Sequence, residues 1–314
     1  MSCNAPEHIP VLRRTVVELF AEHTPGTIVD GTVGLGGHTA AILDALPTVR
    51  VVGIDQDDTA LAEAQRRLNR FGERVTLVHG NVRDVAGHLD ALEIGEIGGM
   101  LLDLGVSSLQ LDDADRGFSF RTDGPLDMRM NRRQAMSATA WLSVATEDDI
   151  GRALRDFGEE RYWRRIARAI VSARGREPIE TTSALRRIVH SAVPSAYFRQ
   201  RIDPATRTFQ AIRLAVNDEL AALSDALAGG WERLADRGLL VVISFHSLED
   251  RVVKQFMREK AATCVCPPGL PECMCGKRVE AEILTKKPMT PTASEIDGNP
   301  RARSAKLRAC LHVV

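Results

Sequence analysis

Residues 30–39 read Asp-Gly-Thr-Val-Gly-Leu-Gly-Gly-His-Thr, a glycine turn opened by a carboxylate. Gly34, Gly36 and Gly37 let the backbone turn sharply and approach a ligand closely. Asp55 follows at the end of the next apolar run, where an acid can hold the hydroxyl pair of a ribose. Together these residues mark a nucleoside cofactor site. A dinucleotide fingerprint would need a third glycine where Thr39 stands, and would seat a pyrophosphate on the helix N-terminus. Asp30 would repel that pyrophosphate. It would attract the cationic amino-acid end of S-adenosylmethionine, so the loop reads as a methyl-donor site.

Five further stretches carry chemistry. Asp103-Leu-Gly-Val-Ser-Ser-Leu-Gln110 follows an apolar run and offers acceptors, hydroxyls and an amide; a serine there equally suits a helix N-cap. Residues 116–130 mix Phe118, Phe120, Arg121 and Arg129 with turn residues, the side chains that stack on and clamp unpaired bases, although two buried phenylalanines would pin a loop as well. Arg207, Gln210, Arg213 and Asn217 fall at helical spacings of three or four, one polar face that meets substrate phosphates or structures a cleft. Ile243-Ser-Phe-His-Ser-Leu-Glu-Asp-Arg251 ends an apolar run in His246, Ser247, Glu249 and Asp250. Ser247 with Asp250 fits a capping box loosely, which does not readily explain His246 at a strand tip; a satisfied structural histidine is the alternative to a functional one. Cys264, Cys266, Cys273 and Cys275 form two Cys-x-Cys pairs that could hold a tetrahedral structural zinc ion, although two intervening residues rather than one are usual.

The elements that must position these residues follow from periodicity. Apolar strands are expected at 27–30, 50–55, 74–79 and 100–104, with helices ending near residue 46 and spanning 59–69. This alternation predicts a parallel, doubly wound sheet, whose ligands sit at the C-terminal strand ends. Asp30, Asp55, the turn at 80–82 and Asp103 all fall there. Between 113 and 203 the pattern is helical only, at 138–144, 147–157, 161–173 and 182–192, with Thr181 or Thr182 capping the last. A long helix over 206–236, interrupted at Gly229-Gly230, and a strand at 238–245 complete the pattern. The expected organisation is a Rossmann-like α/β domain in two parts, 1–112 and 206–314, with a helical insertion at 113–205.

The chain has 314 residues, 44% hydrophobic and 26% charged, the composition of a globular protein. No segment reads as a signal peptide or membrane span, so the cytoplasm is the expected location. Net charge is −1, yet residues 113–217 carry 19 Arg against 13 Asp and Glu, which suits either a polyanion partner or a solvated face of ion pairs. The oligomeric state is open, a homodimer among the alternatives.

Taken together, residues 30–38, 101–108 and 243–251 resemble the ribosomal RNA small-subunit methyltransferase H family, also called MraW. Residues 116–120, 124–130, 205–211 and 299–304 extend the match over nearly the whole chain. The resemblance implies a class I S-adenosylmethionine-dependent methyltransferase fold and N4-methylation of a cytidine in the decoding region of 16S rRNA, within the small ribosomal subunit. It implies cofactor contacts at Gly36, Gly37, His38, Asp55, Val82, Asp103 and Gln110. The family often carries an aromatic where Val82 stands, which puts the adenine contact there in doubt. Chemically, Asp103 is the best acceptor for an N4–H proton, with His246 and Ser247 next. Phe118, Arg121, Arg129, Arg207 and Arg213 are the candidate RNA contacts. Competing expectations are a methyltransferase acting on a protein or small molecule, and a non-catalytic RNA-binding factor.

Overall fold

A computed structural model of the chain describes residues 10–24, 26–200, 202–264, 266 and 274–314. It divides into two compact units, one formed by Met1–Gly105 with Leu220–Val314 and the other by Val106–Glu219.

The first unit is built on seven strands: β1 (Thr27–Asp30), β2 (Arg50–Asp55), β3 (Val75–His79), β4 (Ile97–Asp103), β5 (Leu234–Ser244), β6 (Ala281–Ile283) and β7 (Lys306–His312). Their order across the sheet is β3-β2-β1-β4-β5-β7-β6. β1 to β5 run parallel, and β7 is antiparallel to both β5 and β6. Near-continuous apolar runs form these strands because both faces of the sheet are covered. Successive side chains then serve opposite cores. Ile28 and Leu101 pack on one face with Phe20, Ile42 and Val241. Val29, Met100 and Leu102 pack on the other with Leu89, Leu227 and Trp231.

Chain order reverses between β1 and β4, the switch point at which open α/β sheets form a crevice beyond their strand ends. Asp30, Asp55 and Asp103 are the last residues of β1, β2 and β4. The register pairs Asp30 with Gly53 and Leu101, so the three carboxylates emerge from adjacent strands on one edge.

The second unit is helical. Helices span Ala138–Val144, Glu147–Asp156, Trp163–Arg174, Thr182–Ala192 and Ala205–Asn217 around a core that includes Leu126, Leu142, Ile150, Ile166, Leu185 and Phe209. Thr181, rather than Thr182, caps its helix by accepting from the Ala184 amide. The unit runs beyond 113–205 at both ends, because Ala205–Asn217 buries Phe209, Ala211 and Ile212 in the helical core and Val106 packs against it.

One expected element is two. The helix over 206–236 stops at Asn217, where Asp218 adopts φ 49° and ψ 41° and reverses the backbone hand; a second helix covers Glu219–Trp231. Gly229 and Gly230 lie inside that second helix and do not break it. A Cβ at Gly230 would collide with the Met100 side chain, so glycine here lets the helix close onto β4. β5 begins at Leu234, earlier than residue 238. Among the described residues, no helix is long and apolar enough to cross a membrane.

Candidate cofactor and active site

The glycine turn is held by Asp30 itself. Thr39 Oγ1 donates to Asp30 Oδ2 at 2.7 Å, and the Thr32 amide donates to Oδ1 at 3.3 Å. The carboxylate is 1% exposed. Burial drives its pKa up, against the Thr39 hydroxyl, the nearby His38 ring and the Thr32 amide. Asp30 therefore acts on the turn, and its charge reaches a ligand only through space. Gly36, at φ 75°, makes the left-handed step that starts the helix Gly37–Ala45.

Asp55 receives the Gly34 amide on Oδ2 at 2.8 Å and the Asp57 amide on Oδ1 at 2.9 Å. Burial pushes its pKa up to about 6, and the two amides hold it from rising further. Each carboxylate oxygen keeps a second lone pair, so the group can still accept from a diol. Asp57 in turn caps the next helix through the Thr59 amide at 3.0 Å.

At the tip of β4, the Asp103 amide donates to Thr32 Oγ1 at 2.6 Å. His38, 6% exposed, places Nε2 3.5 Å from Asp103 Oδ2, a charge contact rather than an aligned hydrogen bond. His38 Nδ1, His38 Nε2 and Asp103 Oδ1 are buried and make no hydrogen bond among the described residues. Burying polar atoms in that state is costly, and this pair keeps unused hydrogen-bonding capacity at the tip of β4.

His246 follows β5, whose Ile243 pairs with Asp103 in the sheet. It is the N-cap of the helix Ser247–Lys260. Its Nδ1 accepts from the Glu249 amide at 3.4 Å, and the Glu249 carboxylate accepts from the Phe245 and His246 amides at 2.8 and 3.2 Å. The capping box is thus His246–Glu249, one residue earlier than Ser247–Asp250. Glu249, 3% exposed, stands out in the sequence as one acid of this stretch, but its capping role does not; the signal for that role is an acid three positions after the cap. With Nδ1 accepting, the ring proton belongs on Nε2, which faces Glu249 Oε1 at 3.0 Å. Ser247 is the first residue of the helix. Asp250 pairs instead with Arg308, Oδ1 to Nε at 2.7 Å.

Val82 opens the turn after β3 and lies against Gly31, whose Cβ would meet both Val82 and Leu102. Gln110 lies in the helical unit. Its Oε1 accepts from the Ser107 amide at 3.0 Å, and its own amide donates to Ser107 Oγ at 3.2 Å, so Ser107 is the N-cap of Ser108–Asp112.

The expected RNA contacts fall into different settings. Phe118 is 7% exposed in the helical core. Arg129 makes a two-pronged pair with Asp127, Nε to Oδ1 at 2.9 Å and Nη2 to Oδ2 at 2.7 Å. Arg213 pairs with Glu219 at 2.8 Å, both largely buried. Arg207 donates to the Glu159 carbonyl at 2.9 Å and Gln210 to that of Phe157 at 3.3 Å. Asn217 donates to the Met128 carbonyl and accepts from the Met130 amide, each at 2.8 Å. The polar stripe 207–217 therefore structures the loops around it. Arg121 alone among the five is exposed.

A basic surface lies elsewhere in this unit. The helices Trp163–Arg174 and Thr182–Ala192 border an open groove of about 870 Å³ whose lining includes Arg165, Arg168, Arg176 and Arg187, with Glu177 and Glu180 on the acidic side. No single motif signalled it, because its arginines come from two helices and the segment between them.

Residues 5–313 match the model of the MraW methylase family. The chain belongs to that family. Ribosomal RNA small subunit methyltransferase H from Heliobacterium modesticaldum is 53% identical over 96% of this chain and 97% of its own length. The protein of the same name from Symbiobacterium thermophilum is 50% identical over 96% and 95%. Among solved structures, an rRNA methylase from Streptococcus thermophilus superposes with a TM-score of 0.44 at 12% identity, covering 98% of this chain and 99% of that one. The chain has the Rossmann-like α/β arrangement expected from its sequence: a seven-stranded sheet, parallel from β1 to β5 with β7 antiparallel, and carboxylates at the tips of β1, β2 and β4.

Proposed function

We propose that this chain transfers the methyl group of S-adenosylmethionine to the exocyclic N4 of a cytidine in the decoding region of 16S rRNA, within the small ribosomal subunit. The observation that carries this reading is the buried His38–Asp103 pair at the switch point, with three polar atoms that no described residue satisfies.

The residues at this edge fit S-adenosylmethionine. Asp55 would hold the ribose diol, Gly34 and Gly36 would let the backbone close on the ligand, and Val82 would contact the adenine. His38 and Asp103 would meet its polar amino-acid end or the incoming base. When bound, the cofactor supplies a methyl carbon already made electrophilic by the sulfonium charge. What remains for the protein is alignment and a proton acceptor, since the cytosine N4 lone pair is delocalised into the ring. Asp103 accepts a hydrogen bond from N4–H, which raises electron density on nitrogen and holds it on line with the methyl. His246 and Glu249 fix the turn beside it, with Ser247 the nearest hydroxyl in sequence. The base must leave its stack to reach this edge.

The RNA part of the reading is supported by the shared name of the relatives and by the arginine groove of the helical unit. Arg121 and the groove are the exposed positions from which phosphates would be held.

The test is methyl transfer from labelled S-adenosylmethionine to small subunits lacking the modification, followed by nucleoside mass spectrometry. N4-methylcytidine is expected. Label in another nucleoside, in ribosomal protein, or nowhere overturns the assignment. Asp103→Asn separates the roles: transfer lost with cofactor binding retained is expected, and loss of both removes Asp103 as the N4 acceptor.

A further inference from the structure

Between the helix Ser247–Lys260 and β6 the chain makes an excursion with no helix or strand among its described residues. Its two ends meet. The Glu280 amide donates to the Lys260 carbonyl at 2.9 Å, and the Glu280 carboxylate pairs with Lys260 Nζ at 2.7 Å and with Lys277. Those cations hold the carboxyl well below its usual range, at about 2. Beyond this clasp, among the described residues, Met274 is 86% exposed and Val279 44%. A cross-link that closes such a loop removes chain entropy from the unfolded state.

Three thiols converge there. The Sγ atoms of Cys264, Cys266 and Cys275 all lie within 4.8 Å of one another. Cys264 and Cys275 are 3.8 Å apart, sulfur to sulfur. That spacing is far beyond the ~2.05 Å of a disulfide. It agrees with the edge of a tetrahedron of sulfurs around zinc, about 3.8 Å for Zn–S bonds of about 2.3 Å. The Cys266 amide also points at Cys264 Sγ, 3.3 Å away, and an N–H donor stabilises a thiolate more than a thiol. Lys277 and Arg278 follow directly, placing positive charge in the chain next to a site that carries net negative charge once three thiolates bind a dication.

We propose that Cys264, Cys266 and Cys275 are three ligands of a structural zinc ion that cross-links this excursion on the methylase unit. On binding, three S–H bonds release their protons to solvent as three Zn–S bonds form, with no change of oxidation state. Soft thiolates and tetrahedral spacing select zinc over the hard, oxygen-seeking cations. The ion sits apart in sequence from every residue assigned to methyl transfer, so its role is to hold the loop. Cys273 lies outside the described residues, and the site stands on the three thiols named.

The full-length chain, produced with zinc in the medium and purified under reducing conditions, is expected to carry about one zinc per chain by mass-spectrometric metal analysis. Exchange with cobalt(II) is expected to give the strong thiolate-to-metal charge-transfer absorption and intense visible bands of a tetrahedral thiolate site. Cys264→Ser and Cys275→Ser should each lose most of the metal, while Cys310→Ser, in β7, keeps it. A wild-type chain that holds less than about a tenth of an equivalent of zinc and gives no cobalt–thiolate band overturns the proposal. So does a mass two hydrogens lighter with a Cys264–Cys275 disulfide in peptide mapping, or full zinc content in the Cys264→Ser, Cys275→Ser double variant. The wild-type metal content and cobalt spectrum decide the matter even if a variant fails to fold.

Discussion

Thr39 Oγ1 hydrogen-bonds Asp30 Oδ2 at 2.7 Å across the glycine turn. Thr39 occupies the position where a dinucleotide-binding turn has its third glycine, and the hydroxyl is what a glycine could not supply. The departure from that fingerprint and the presence of the acid are therefore one feature: a buried carboxylate that organises the turn, with the threonine satisfying it. Thr39→Val keeps the volume and removes the donor. It should lower unfolding free energy by about 1–3 kcal/mol, the cost of leaving a buried acceptor short of a partner. Denaturant titration measures this, and a change below about 0.5 kcal/mol would show the bond to be dispensable.

Cofactor affinity should depend on pH through Asp55. Its pKa stands near 6 because burial disfavours the charged form. The carboxylate must be ionised to accept from both ribose hydroxyls, so protons compete with the ligand. Between pH 8 and about 6 affinity should be flat, and below that it should fall, approaching tenfold per pH unit. Folding stability moves the other way for this group. A raised carboxylate pKa favours the folded state most below the unfolded value of 3.8, and that contribution is lost as pH rises through about 6. Calorimetric titration with S-adenosylmethionine between pH 5 and 8 checks the binding arm. A profile of Asp55→Asn as steep as the wild type's would assign the dependence to another group.

His246 offers a sharp split between positioning and chemistry. Its Nδ1 caps the helix that begins at Ser247. Asparagine also caps well, whereas alanine does not. His246→Ala should cost about 1 kcal/mol, and His246→Asn should restore most of it. If the ring only positions the turn, the asparagine variant keeps most of the methyl-transfer rate as well. A rate lost in both variants with stability restored in one would instead put the imidazole in contact with the reacting groups.

The arginine groove predicts a specific salt signature. Arg168→Glu combined with Arg187→Glu, on the two helices that border it, should weaken binding to small-subunit RNA by tenfold or more and flatten the dependence of affinity on salt by about one to two ion equivalents. Binding of S-adenosylmethionine should not change. Fluorescence anisotropy across a range of potassium chloride concentrations reads both quantities, and an unaltered salt slope would remove the groove from the RNA path.

Much of the architecture was legible because its causes are local and periodic. Residues 138–144 and 182–192 emerge as helices with the expected limits, since amphipathic spacing and threonine or serine caps act over a few residues. The strand tips were legible for the same reason. What could not be read depended on contacts distant in sequence. Asp218 ends the long helix through a left-handed step that aspartate tolerates but does not signal, and Gly230 is buried in a helix because Met100 lies beneath it. Arg213 and Asn217 show helical spacing that would suit phosphates equally well. Only the fold reveals that Glu219 and the carbonyl of Met128 have claimed them. In the site, the pattern revealed which acids stand at the strand ends. It did not reveal that Asp30 is consumed by the turn while Asp103 is not.

The sheet order has a consequence for how the sheet closes. β7, which follows β5 and β6 in the chain, does not add to an edge; it enters between them and pairs with both. Until it arrives, those two strands have no hydrogen-bonded neighbour in common and Asp250 lacks its Arg308 partner. The slot between β5 and β6 therefore closes only when β7 pairs with both, so this half of the sheet forms through contacts distant in sequence rather than by successive addition at an edge.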